Sequence, residues 1–212
     1  MERVVRNGGT AGLVAAVLLA LAFIIYMSTG LDPGAMADPA MALPAVAQQS
    51  GKWMAAGIIF ALAVGFSVVF AVGLATRLRD PAPTRARAFL FLTLLGLGGY
   101  AIDSLMAWQG ALYIATMVKD QVAASHAWHA VRALSLTFDA LGGGFTGGGQ
   151  IVVGWAIIAT GALGSTLGWL SVVTGVVNIV ALFGRMVAPL FFGSIVLTIV
   201  WLAWTGSALR RA

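Results

Sequence analysis

Four polar residues interrupt long apolar runs: Asp103, Arg132, Asp139 and Asn178. Asp103 breaks the run "AFLFLTLLGLGGYAIDSLMAW", and Arg132 and Asp139 stand seven positions apart, the spacing that puts two residues on one face of a helix. An ionisable side chain in an apolar phase must find a partner, lose its charge or line a wet cavity. An Asp103–Arg132 or Asp139–Arg132 pair would neutralise such a charge. The pair could simply pin helices together. Alternatively, Asp103, Arg132, Asp139 and Asn178 surround an outward-facing polar cavity that binds a small ligand or relays protons.

Other chemistries are poorly supported. The chain has no cysteine, which removes disulfides, thiolate metal sites and cysteine nucleophiles. Its two histidines, His126 and His129, lie three apart on one segment, whereas bis-histidine haem ligation needs opposed faces, so neither metal nor cofactor is expected. No G-x-S-x-G or H-E-x-x-H pattern occurs, and the two aspartates lack the local motifs of intramembrane aspartyl proteases. Catalytic residues are therefore not assigned. The stretch "FDALGGGFTGGGQIVVGW" looks like a phosphate-binding loop, but that loop needs a lysine and none follows Lys119. A G-x-G-x-x-A match at Gly96–Ala101 lies inside an apolar run and not after a strand.

The elements that must position these residues follow from composition. Of 212 residues, 60% are hydrophobic and 9% charged, against roughly 25% charged in soluble domains, so the chain belongs in a lipid bilayer. A transmembrane helix needs about 20 apolar residues. Uncharged runs predict six spans, at about 11–29, 53–76, 88–108, 130–160, 165–184 and 186–208, with "TGALGST" at 160–166 as a turn. The expected fold is an all-α polytopic bundle forming a single integral membrane domain over 1–212. Alternating ten-residue strands of a barrel are not seen.

Six spans put Arg3, Arg6, Arg77, Arg79, Arg85, Arg87, Arg210 and Arg211 on one side, and Lys52, Lys119, Arg132 and Arg185 on the other. That asymmetry predicts cytoplasmic termini in a cell inner membrane. The net charge of +5 comes from these short clusters, which argues against nucleic acid as a partner. A basic start, an apolar run and "AMA" at 35–37 also fit a cleaved leader, but the apolar run exceeds the usual length of roughly 7–15 residues. Trp53, Trp108, Trp128 and Trp204 near span ends read as interface anchors, and segments 30–52 and 109–128 as caps or surface helices.

Glycine costs about 1 kcal/mol in a helix interior in water, so six glycines in Gly142–Gly149 need a reason. Gly143, Gly144, Gly147, Gly148 and Gly154 form G-x-x-x-G and heptad spacings that let helix backbones approach closely in lipid. Unwinding of the helix to line a cavity is the other reading. Phe138–Asp139, the small and aromatic run to Gln150, and "GWAIIATGALGSTLGWLSVVTGV" at 154–176 together resemble a bacterial membrane family. It is known as domain of unknown function 4386, and the resemblance covers about 135–180. It implies a six-span fold and no activity, and this chain departs from it by carrying glycines and Gln150 at several aromatic and histidine positions. The reading of the whole is a non-enzymatic helix-packing component of a membrane assembly, with a protein partner or a second copy. The alternative is a small-ligand-binding or transport protein.

Overall fold

The computed structural model describes residues 1–31, 35–183 and 188–211. The helices are α1 (Glu2–Met27), α2 (Pro39–Gln48), α3 (Ser50–Leu78), α4 (Pro83–Ser104), α5 (Ala111–Met117), α6 (Gln121–Thr160), α7 (Ser165–Phe183) and α8 (Ala188–Arg211). A π-helical segment, Leu105–Gly110, joins α4 to α5. Among the described residues there is no strand, and six helices are long and apolar enough to cross a membrane: α1, α3, α4 through α5, α6, α7 and α8. The protein is an all-α membrane helix bundle. The expected ends of the fifth and sixth spans at 184 and 186, with Arg185, lie outside the described residues.

Local signals set the helix ends. Asp38 caps α2 by accepting from Ala40 N, with Pro39 in the first turn. Asp120 caps α6 by accepting from Ala123 N at 2.8 Å. Gly161 ends α6 with φ 69°, a left-handed conformation that glycine adopts without steric cost. Between these caps α6 runs unbroken through the glycine stretch, so the helix does not unwind there. At about 1.5 Å per residue α6 is roughly 60 Å long, about twice the hydrocarbon thickness. Its first turns therefore stand beyond the apolar layer, where His126 and His129 are exposed.

The spanning helices form a closed ring in the order α1, α3, α4, α6, α7, α8 and back to α1. Neighbours run antiparallel, so both chain ends meet at one end of the bundle, here called the base. Glycines divide the ring into two groups of three. In the first, α1 is central: a methyl group on Gly8 would lie 2.6 Å from Gly73 Cα of α3, and one on Gly9 would lie 2.7 Å from Gly206 O of α8. In the second, α6 is central: a methyl on Gly99 of α4 would meet Gly142 N at 2.8 Å, and one on Gly154 would meet Gly168 O of α7 at 2.6 Å. Contacts at the two junctions, α3 with α4 and α7 with α8, are sparser. A solid apolar core fills the base, built on Phe70, Leu74, Leu78, Phe89, Ile157 and Leu209.

The opposite end, the roof, is closed by α2, α5 and the first turns of α6 around Leu31, Met36, Val46, Trp53 and Trp128. Here the anchor reading of two tryptophans needs correction. Trp53 and Trp128 are 1% and 2% exposed, and their indole N–H groups donate to Trp108 O and Met36 O, each at 3.2 Å. The capping helices took them out of the interface. Trp204, at 50% exposed, remains on the surface.

Candidate functional site

One cavity of about 280 Å³ runs down the axis of the ring, and all six spanning helices contribute to it. Asp103, Arg132, Asp139 and Asn178 all line it. The residues picked from separate helices are thus brought to one space.

The polar wall belongs mainly to α6. Arg132, Ser135, Asp139, Thr146 and Gln150 all line the cavity, and their spacing holds them on one helical face. That face spans about 27 Å along the axis. Glycines flank it on both sides. Gly142 and Gly149 back onto α4, where a methyl on Gly149 would meet Thr93 Oγ1 at 2.6 Å. Gly147 and Gly154 back onto α7, where a methyl on Gly147 would meet Gly175 O at 2.8 Å. Drawing α4 and α7 in close on either side leaves the polar stripe pointing at the axis. Gly143 is buried. Gly144 and Gly148 differ from the sequence expectation: methyls there would meet only Leu182 at 3.4 Å and Leu92 at 3.9 Å, ordinary contact distances. They sit on the outer side of the helix, turned away from both close approaches.

Near the roof, Ser135 Oγ donates to Asp103 Oδ1 at 2.5 Å, tying α6 to α4. The Arg132 guanidinium interacts electrostatically with Asp103 and with Tyr26 of α1. Tyr26, Trp53 and Trp108 form an aromatic cluster over this group, with Trp53 and Trp108 ring centroids 4.7 Å apart. Trp108 sits on the π-helical segment, whose wider turn places its ring against Gly57 of α3 and its carbonyl before Trp53.

Deeper in the bundle the polar groups are neutral. Asn178 Nδ2 donates to Gln150 Oε1 at 2.8 Å and to Thr198 Oγ1 at 3.2 Å, linking α7, α6 and α8. Ser171 Oγ donates to the Gln150 carbonyl at 2.9 Å. Gln150 and Asn178 are 3% and 8% exposed, so these bonds meet needs that lipid cannot. The floor is set by Phe70 and Trp201, packed edge to face at 5.2 Å.

The charged lining residues all come from α4 and α6. The facing group, α1, α3 and α8, presents mainly apolar and aromatic side chains, with hydroxyls from Ser67, Ser194 and Thr198. The cavity is two-sided: one wall suits charge and hydrogen bonds, the other suits flat or aliphatic carbon. Among the described residues, no group of three or more His, Cys, Asp or Glu side chains could hold a metal ion. Sequence reasoning passed over Ser135, Thr146 and Thr198, because isolated hydroxyls are common in membrane helices. The signal for the first two was their register with Arg132 and Asp139.

Compared with models of known protein families, with curated proteins and with solved structures, the chain matches none.

Proposed function

We propose that this protein binds a small amphiphilic molecule inside its membrane bundle, as a receptor or carrier and without catalysing a reaction. The observation that carries this reading is the two-sided axial cavity, on which Asp103, Arg132, Asp139 and Asn178 converge. Ligand pockets are typically concave and mostly apolar, with a few convergent polar groups. The reading as a packing component of an assembly has less support. The closest glycine approaches are made within the chain, between α1 and α3 or α8, and between α6 and α4 or α7. They therefore explain the glycines without a partner.

The base carries Arg3, Arg6, Arg77, Arg79, Arg85, Arg87, Arg210 and Arg211, and the positive-inside rule puts it in the cytoplasm. We take the membrane to be the inner membrane of a bacterium, in line with the resemblance to the domain of unknown function 4386 family. The cavity then lies toward the outer side, beneath the cap of α2 and α5.

The test is native mass spectrometry after purification in mild detergent. Wild type should carry a small-molecule adduct. Ala63→Phe, which fills the apolar wall without touching the polar stripe, should fold and lose it. A folded wild type with no adduct, or an adduct that persists in Ala63→Phe, would overturn the reading.

A further inference from the structure

Among the described residues, three buried side-chain polar atoms have no hydrogen-bond partner: Thr93 Oγ1, Trp201 Nε1 and Thr205 Oγ1. Buried polar groups nearly always find one. Thr93 and Trp201 line the axial cavity and are 8% and 4% exposed. A threonine inside a helix can donate to the carbonyl four positions back, as Thr146 and Thr174 do here. Thr93 does not. A further donor stands beside them: Gln150 Oε1 accepts from Asn178, and no described residue accepts from Gln150 Nε2.

These donors come from α4, α6 and α8 and share one level of the bundle. A methyl on Gly149 would lie 2.6 Å from Thr93 Oγ1, which puts Thr93 beside the turn of α6 that carries Gln150. Asn178 joins Gln150 to Thr198, and Trp201 follows three positions later on α8, about one helical turn. The lining around them is carbon, from Phe70, Leu97 and Leu202. Thr205 lies outside the lining and takes no part.

The chemistry of the donors fixes what they can receive. An indole N–H donates and never accepts, so the site takes an acceptor. Arg132, the one cation of the described lining, stands about 27 Å back along α6. A carboxylate at this depth would face carbon and neutral dipoles alone, at high cost. An uncharged oxygen meets the donors without that cost.

Building on the cavity reading above, we infer that the ligand carries an uncharged carbonyl oxygen on an apolar body and sits in the cavity with that oxygen at the floor. Gln150 Nε2 donates to the oxygen. The Trp201 and Thr93 donors are sealed beneath the lining and reach it by side-chain rotation.

The test uses the whole protein in nanodiscs and three probes of similar shape: acetophenone, α-methylstyrene, in which a methylene group replaces the carbonyl oxygen, and benzoate. Titration calorimetry is corrected with empty nanodiscs. The ketone should bind saturably and about tenfold more tightly than either of the others, the scale of one hydrogen bond inside a protein. Thr93→Val and Trp201→Phe each remove a donor that has no partner, so both should fold. Each should cut the ketone-to-hydrocarbon ratio by about threefold or more and leave the hydrocarbon's own affinity nearly unchanged. Equal binding of ketone and hydrocarbon would mean that water alone satisfies the donors, and overturns the inference. Preference for benzoate, or an unchanged ratio in both folded variants, also overturns it. If both variants fail to fold, the wild-type ratio decides. Equal binding of all three probes that Ala63→Phe abolishes would leave the cavity reading standing with the wrong ligand class. Absence of saturable ketone binding removes the carbonyl assignment, and the cavity reading then rests on the mass-spectrometric adduct.

Discussion

Ser135 on α6 donates a 2.5 Å hydrogen bond to Asp103 on α4, beside the guanidinium of Arg132. The bond does two things. It fixes the height of α4 against α6, and it holds the carboxylate where Arg132 can neutralise it. Hydrogen bonds to charged groups contribute roughly 1.5–3 kcal/mol. Ser135→Ala should lower the stability of the purified protein by about that much, measured by thermal unfolding in detergent. A loss too small to detect would mean the bond is dispensable.

Arg132→Ala should be more damaging, by about 3–5 kcal/mol, because it strands a carboxylate. Asp103→Asn in the same chain should recover part of the loss. A double-mutant cycle measures the coupling. Losses that add within about 0.5 kcal/mol would show that Arg132 and Asp103 act independently.

The glycines of the bundle should divide by position. Gly154→Val and Gly147→Leu drive side chains into the α7 backbone and should destabilise by more than the roughly 1–3 kcal/mol of ordinary overpacking. Gly148→Ala enters open space near Leu92 and should be neutral or slightly stabilising, since alanine is the better helix former. Thermal unfolding in one detergent compares them directly. Equal effects at the three positions would contradict the packing described.

The Gln150–Asn178–Thr198 group predicts an asymmetry. Asn178→Leu leaves the Gln150 amide short of a partner and should cost about 1–3 kcal/mol. The double variant Gln150→Leu/Asn178→Leu should be less damaging than the sum of the two single losses. A chemical-denaturation series would reveal it.

Topology can be tested cleanly because the chain has no cysteine. Single cysteines at Asp80, in the base, and at Ala40, in the roof, are both exposed. They should label with impermeant maleimide from opposite faces of the membrane, Asp80→Cys from the cytoplasmic one. Labelling of both from one face would break the six-helix arrangement.

Much of this was legible in the sequence, for physical reasons. Charges are so rare here that each uncharged run marks a helix, and the seven-residue spacing of Arg132 and Asp139 already placed them on one face. The turn at Gly161 and Gly164 was equally visible, since both glycines take positive φ. The second set of close glycine approaches, Gly8, Gly9, Gly73 and Gly206, was not. Lone glycines are frequent in membrane helices, and only the partner backbone reveals which are used. Trp53 and Trp128 misled because an indole near a span end looks alike whether lipid headgroups or a capping helix covers it. The hydroxyls that join Gln150 and Asn178, Ser171 and Thr198, were hidden because single serines and threonines barely disturb hydropathy.

The stripe that makes α6 useful also makes it a poor passenger of the insertion machinery. Its most apolar 18-residue window has a mean hydropathy of only 1.2, against 2.4 for α1 and 2.6 for α3. Polar residues and glycines that serve the axis are a handicap while the helix emerges alone into lipid. Relief comes from its neighbours in the chain. Helix α4 is made first and offers Asp103 to Ser135, and α7 follows after a short turn. Biogenesis should therefore hold α6 at the lateral gate of the translocon until α7 arrives, with the three helices partitioning into lipid as one unit.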